Sequence, residues 1–67
     1  MAITVNTNPW QWSHAGPPRG YGGWGFTLSA GAAQPYEVWT QGWYGASLRE
    51  AKRIAREEGF DTVTVLP

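Results

Sequence analysis

The most constraining stretch of the chain is residues 47–59, whose sequence Ser-Leu-Arg-Glu-Ala-Lys-Arg-Ile-Ala-Arg-Glu-Glu-Gly is typical of one amphipathic helix. Ser47 and Glu50 have the spacing of a capping box, in which each side chain accepts a hydrogen bond from a main-chain N–H of the first turn. Gly59 suits the left-handed residue that ends many helices. The sequence therefore predicts a helix that begins at Ser47 and ends at Gly59.

The predicted helix has a narrow apolar side and a broad charged side. The apolar side recurs at three- and four-residue spacing and consists of Leu48, Ala51, Ile54 and Ala55. Four of the five basic residues of the chain lie on the other side, namely Arg49, Lys52, Arg53 and Arg56. The rest of the chain should pack against the apolar side, which leaves the basic side for solvent or for a partner.

Length and composition indicate one small domain with an aromatic-rich core. The chain has 67 residues, no Cys, one His, five Trp, three Tyr and two Phe. Domains of this size are near the lower limit for a core without disulfides or metals, and each large aromatic side chain can bury roughly 150–250 Å². We expect neither a metal site nor a cofactor, because a single His would leave carboxylates to supply most of the zinc ligands.

The charge balance argues against strongly charged classes of protein. The formal net charge is zero, with five acidic and five basic residues, and residues 1–46 carry only Arg19 and Glu37 as charges. A strongly basic nucleic-acid binder and an acidic mimic of DNA are therefore disfavoured. The chain also lacks an apolar run long enough for a membrane span and the pattern of a signal peptide, so we expect a cytoplasmic protein without a membrane partner.

Four segments have the alternation or the β-branched content of strands. They are residues 3–6, 24–30, 36–42 and 60–66. Residues 9–23 separate the first two and contain three prolines and four glycines, which predicts an irregular Trp/Gly/Pro-rich loop instead of a helix. Two interpretations of this loop stay open: it covers the sheet with its tryptophans, or it recognises a partner.

This order of elements predicts an α+β fold in a single domain, residues 1–67. We expect a small, mostly antiparallel sheet of three to four strands with one helix packed on one face, in the order β-loop-β-β-α-β. The predicted core is Ile3, Val5, Phe26, Leu28, Val38, Leu48, Ala51, Ile54, Ala55, Val63 and Val65. If Val38 faces the helix, Trp39 and Trp43 face away from it, unless a bulge at Gly42 reverses them. Pairing between the first and last strands stays open.

The inventory of reactive groups predicts a protein that is not an enzyme. His14 is the one side chain suited to acid–base work near neutral pH, and its neighbour Ser13 is adjacent in sequence, a placement that rarely gives nucleophile–base geometry. Gly20 and Gly22 precede a predicted strand, so they lack the helix N-terminus that a phosphate loop uses. We expect no catalytic residues.

Basic and aromatic residues together are typical of a binding surface, since Trp, Tyr and Arg are enriched at interface hot spots. The predicted partner-binding residues are Arg49, Lys52, Arg53, Arg56, Trp10, Trp12, Tyr21, Trp39 and Trp43. The same side chains could contact phosphates and stack on bases, so a small nucleic-acid-binding module is the alternative. Glutamates interspersed among the basic residues and zero net charge count against it. A solvated helix surface and a buried aromatic core are the structural alternatives.

Two segments resemble known families. Residues 47–55, Ser-Leu-Arg-Glu-Ala-Lys-Arg-Ile-Ala, resemble the helix of some small phage-encoded type I anti-CRISPR proteins, single-domain sheets with one helix that bind the crRNA-guided surveillance complex. This resemblance implies an inhibitor from a phage or mobile element that binds and blocks a host protein complex such as a CRISPR-Cas effector. The strand-strand-helix order with Trp24-x-Phe26 is similar to the arm-type DNA-binding domains of phage integrases, which implies the nucleic-acid alternative.

Overall fold

Two helices and one four-stranded sheet form the part of the chain that this computed structural model describes, residues 2–67. The elements in chain order are β1 (Thr4–Asn6), α1 (Asn8–His14), β2 (Tyr21–Ser29), β3 (Tyr36–Trp43), α2 (Tyr44–Glu58) and β4 (Thr62–Val65). The sheet is mixed but mostly antiparallel, with the order β1-β4-β2-β3. The predicted α+β class is therefore confirmed, with a second helix added.

Strand pairing shows whether Gly42 forms a bulge and whether the first strand pairs with the last, the two questions that the sequence leaves open. β2 pairs with β3 in one unbroken antiparallel register, from Tyr21 opposite Trp43 to Leu28 opposite Tyr36, so Gly42 introduces no bulge there. β1 pairs in parallel with β4, and β4 pairs antiparallel with β2. The sheet consequently contains a split β-α-β motif made of β3, α2 and β4, in which β2 lies between the two parallel strands β3 and β4.

The predicted start of the long helix is wrong, whereas its end is confirmed. α2 begins at Tyr44, its N-cap residue is Trp43 without a side-chain cap, and Ser47 is buried inside the helix instead of capping it. The reason lies in the sheet, because the Tyr44 N–H donates to the Gly20 carbonyl oxygen at 2.8 Å. At the other end Gly59 is left-handed with φ 82°, and the Phe60 N–H donates to a helix carbonyl at 2.8 Å, as in a Schellman motif.

The prediction of an irregular loop over residues 9–23 is also wrong, because its first part is the helix α1. Pro9 occupies the first turn, where a missing N–H costs no helical hydrogen bond. Ala15 ends the helix in a left-handed conformation, and its N–H donates to the Gln11 carbonyl oxygen at 2.9 Å. Within residues 9–23, only residues 15–20 lie outside regular structure, since β2 begins at Tyr21, earlier than predicted.

One apolar cluster lies between the helices and the sheet. Its buried members are Trp24, Phe26, Leu28, Val38, Ala51, Ala55, Val63 and Val65, and all but Trp24 belong to the predicted core. The remaining predicted core residues, Ile3, Val5, Leu48 and Ile54, pack against the cluster while partly buried. The sequence pattern thus identifies the core but not its largest side chain.

Trp24 connects both helices to the sheet. Its ring lies 4.7 Å from that of Trp10 in α1 and 4.9 Å from that of Tyr44 in α2, between ring centroids. Its indole N–H donates to the Gly42 carbonyl oxygen at 3.1 Å. Because Trp24 shares the side of β2 that carries Phe26, both helices cover the same side of the sheet.

Neither helix in residues 2–67 has the length and apolarity needed to cross a lipid bilayer.

Candidate binding surface on the open side of the sheet

The side of the sheet opposite the helices carries three large aromatic residues. Tyr21 of β2 and Trp39 and Trp43 of β3 are 64%, 63% and 64% exposed, respectively. They share this side because they alternate with core residues along their strands, as the sequence predicts for Trp39 and Trp43. We call these three residues the aromatic face.

Trp39 packs against Gly25 and forms one side-chain hydrogen bond. It lies opposite Gly25, and a Cβ atom built on Gly25 would stand 2.5 Å from Cζ3 of the ring, so the indole occupies the space of a side chain. The indole N–H donates to Glu37 Oε1 at 2.6 Å. The ring therefore rests on β2, in an orientation fixed by packing and by one hydrogen bond.

Tyr21 and Trp43 form the second part of the aromatic face. They are direct partners in the register of β2 and β3, and their rings meet edge to face with 5.5 Å between centroids and an angle of 82°. Gln41 and Gly23 form the register pair between these rings and Trp39. A Cβ on Gly23 would find only a main-chain oxygen, at 4.0 Å, so the β2 half of the surface between the aromatic groups is open, while the exposed Gln41 side chain lies on the β3 half.

The strands that carry the aromatic face have little charge. β2 and β3 contain one charged residue, Glu37, whose carboxylate accepts the hydrogen bond from Trp39. β1 and β4 contribute uncharged threonine and asparagine side chains to the same side, at Thr4, Asn6, Thr62 and Thr64. A ligand on this face meets aromatic rings, hydroxyls and amides in the absence of any Lys or Arg from the strands.

One of the four basic residues of α2, Arg53, pairs with glutamates of the same helix. Arg53 donates through Nε to Glu50 Oε1 at 2.8 Å and through Nη1 to Glu57 Oε1 at 2.6 Å. The hydrogen bond to Glu50 raises the pKa of Arg53, with the charges of Glu50 and Glu57 adding to the effect. Arg49 and Arg56 line a surface depression beside Arg53. The helix as a whole holds four basic and three acidic residues.

The predicted partner-binding residues are divided between two surfaces. α2 and its basic residues, including Lys52, lie on the covered side of the sheet, whereas Tyr21, Trp39 and Trp43 lie on the open side. One flat partner cannot contact both sets. The period-two pattern of β3 already implies this separation, because Val38 packs under the helix and its neighbours point away.

The two tryptophans of α1 belong to neither surface. Trp10 is partly buried, stacks on His14 with 3.7 Å between ring centroids, and contacts Trp24, so it serves to pack α1 onto the core. Trp12 is 82% exposed on the same helix.

Across residues 2–67 we find no group of three or more His, Asp or Glu side chains placed to hold a metal ion.

Gly25 and Glu37 are the residues of this surface that the sequence-based prediction lacks. The signal for Gly25 is the register of the hairpin: once Phe26 is placed opposite Val38, Gly25 falls opposite Trp39. A glycine opposite a tryptophan indicates a ring that lies across the neighbouring strand. Glu37 follows from the same strand period, since residues two apart share a face.

Comparisons with protein-family models, with curated proteins and with solved structures gave no match for this chain.

Proposed function

We propose that the chain is a non-enzymatic protein-binding module whose partner docks on the aromatic face. The observation that carries the proposal is the exposure of Tyr21, Trp39 and Trp43 on adjacent strands, about two-thirds of each side chain. At the typical size of aromatic side chains this amounts to roughly 300–480 Å² of exposed ring-bearing surface. This size falls in the range of the largest apolar patch on a typical monomer, which is often a functional site.

The fixed orientation of these aromatic side chains supports a protein partner. Trp39 is fixed by Gly25 and Glu37, and Trp43 by its contact with Tyr21, so binding would immobilise few additional torsions. Rigid aromatic residues near the centre of an interface supply most of the affinity in many complexes. The hydroxyl and amide side chains around them match the polar rim of such an interface.

Charge makes nucleic acid the weaker candidate. Non-specific binding to DNA or RNA depends on neutralising several phosphates with Lys and Arg, and β2 and β3 contain neither. The basic residues of α2 lie on the other side of the sheet, and Arg53 is already paired with two glutamates. Bases stacked on Trp39 would therefore place their phosphates beside an uncharged or acidic surface.

The finer proposal is an inhibitor encoded by a phage or mobile element, which acts in the host cytoplasm by occluding a surface of a larger host complex. Its support is the resemblance of residues 47–55 to the helix of small type I anti-CRISPR proteins, which makes a CRISPR-Cas surveillance complex the first complex to test. In this proposal the aromatic face makes the principal contact, because its rings are exposed on nearly uncharged strands, whereas Arg53 at the centre of the exposed side of α2 already pairs with Glu50 and Glu57.

The test is affinity capture with the immobilised chain, first from host lysate and then with purified type I surveillance complex. We expect Trp39→Ala and Trp43→Ala each to weaken capture at least about tenfold, which is the loss expected for a hot-spot residue. Trp12→Ala is the matched control, since it removes a more exposed tryptophan from a helix away from the face. Equal capture by all three variants would refute the aromatic face as the site.

Titration of the same purified chain with nucleic acids distinguishes a nucleic-acid-binding module from a protein-binding one. Duplex DNA, single-stranded DNA and RNA are titrated at low salt and again at physiological salt. We expect no saturable binding at either salt concentration. Binding that weakens steeply with salt would favour the nucleic-acid module instead, because the release of counterions from phosphates gives that dependence.

A further inference from the structure

β3 leaves main-chain hydrogen-bonding groups unpaired along one edge of the sheet. The Tyr44 N–H donates to the Gly20 carbonyl oxygen in continuation of the β2–β3 register, so the even-numbered residues of β3 face β2. On the far side of β2, the Leu66 N–H donates to the Gly25 carbonyl oxygen at 2.9 Å. The main-chain groups of the odd-numbered residues of β2 therefore face β4, and those of the even-numbered residues face β3. The N–H and C=O groups of the odd-numbered residues of β3 therefore point away from the sheet, among them those of Trp39 and Gln41.

The β3 edge has few of the features that usually protect an edge strand. Its sequence, Tyr36–Trp43, contains no Lys, Arg or Pro, its one charged residue is Glu37 near the start, and its register with β2 has no bulge. β3 is eight residues long, whereas the strand at the other edge, β1, has three residues. An unprotected strand of this length is a template for pairing with another strand.

We propose that β3 pairs with β3 of a second copy of this chain, antiparallel about a two-fold axis at Thr40. In this register Trp39 of each copy lies opposite Gln41 of the other, and their outward N–H and C=O groups bond to each other. A register shifted by two residues in one direction would place Trp43 opposite Pro35, which has no N–H, and would lose that hydrogen-bonded pair. A shift in the other direction would run into α2.

Charge favours a second copy as the occupant of the edge. The formal net charge of the chain is zero, so two copies approach without net repulsion. The proposed register puts Glu37 of each copy opposite Trp43 of the other, so the two Glu37 carboxylates do not face each other. The contact is isologous and closes on itself, which gives a dimer instead of a filament.

The dimer goes beyond the proposed function without being required by it. A two-fold axis perpendicular to the sheet keeps the helices of both copies on one side and joins the two open sides into one surface. Two aromatic faces then lie in one continuous eight-stranded sheet. A partner with two matching sites would bind the dimer with avidity, whereas a monomeric chain would still bind one site.

Sedimentation velocity over a wide concentration series tests the inference on the protein alone. We expect the mass to rise from 7.4 kDa to twice that value with concentration. Gln41→Pro removes one outward N–H and leaves the ladder to β2 intact, so it should weaken dimerisation at least about tenfold. Gln41→Ala keeps the N–H and should dimerise as the parent does. A parent chain that stays monomeric at every concentration would overturn the inference.

Residue-resolved hydrogen exchange keeps the inference testable if Gln41→Pro does not fold. In the unmodified chain the amides of Trp39 and Gln41 should gain protection as concentration rises, while the amide of Thr40, which faces β2, should be protected throughout. A dimer that forms without this change would use another surface, for example the aromatic faces stacked on each other, and would also overturn the inference.

Discussion

At the scale of single residues, Trp24 is the side chain on which the packing of the chain depends most. It is 3% exposed, donates to the Gly42 carbonyl oxygen and contacts an aromatic ring of each helix. We expect Trp24→Phe to destabilise the chain by about 2 kcal/mol, from a cavity and from the loss of the indole hydrogen bond. Urea denaturation measures this change. Trp12→Phe, the control on the exposed side of α1, should stay within about 0.5 kcal/mol of the parent.

Gly25 permits the position of Trp39, and this can be tested at two glycines of one strand. In Gly25→Ala the new methyl group overlaps the indole, so the ring must move off β2 and lose its hydrogen bond to Glu37. We expect a displaced indole N–H resonance for Trp39 in an NMR spectrum, and weaker capture of the partner. In Gly23→Ala the nearest atom is 4.0 Å away and the resonance should stay in place. An unmoved Trp39 signal in Gly25→Ala would contradict the packing of the indole on β2.

At the scale of elements, the strands and the end of α2 follow from local sequence, whereas the helix starts do not. Alternation in β2 and β4 and a glycine at the helix end are signals within a few residues. The start of α2 depends on the distant Gly20 carbonyl, which no local pattern reports. α1 is absent from the prediction because proline usually breaks a helix, although the first turn, where Pro9 lies, tolerates it.

The candidate surface is predictable in part for the same reason. The period of β3 is a local signal, and it is sufficient to place Trp39 and Trp43 away from the core. Whether the segment after β1 folds over them depends on tertiary packing, and α1 packs against Trp24 on the other side instead. Trp24 is absent from the predicted core because its burial depends on contacts from both helices.

Replacing glycine with alanine should have opposite effects on stability at the two ends of α2. Gly45→Ala places a methyl group in open space within the first turn and should stabilise the chain by about 0.5–1 kcal/mol. Gly59→Ala forces alanine to adopt φ 82° and should destabilise it by about 1–2 kcal/mol. Thermal unfolding of both variants measures the difference. Destabilisation by Gly45→Ala would contradict a helix that begins at Tyr44 and would favour the start at Ser47.

At the scale of the whole molecule, the sheet separates two surfaces of different chemistry. The helix side presents Arg49 and Arg56 among glutamates, and the open side presents rings on nearly uncharged strands. Exposed charges separated by more than about 8–10 Å are screened from each other at physiological salt. A partner on the open side should therefore be nearly insensitive to the charge on α2.

Charge reversal on α2 tests this separation directly. We expect Arg49→Glu combined with Arg56→Glu to leave the equilibrium affinity for the captured partner within about twofold of the parent, because neither side chain reaches the aromatic face. Surface plasmon resonance measures it, with Trp39→Ala as the variant expected to lose binding. The opposite result, in which the double charge reversal abolishes binding and Trp39→Ala binds normally, would move the site to α2. An acidic protein or a nucleic acid would then be the partner, and the salt dependence of binding would distinguish them, since phosphate contacts give the steeper slope.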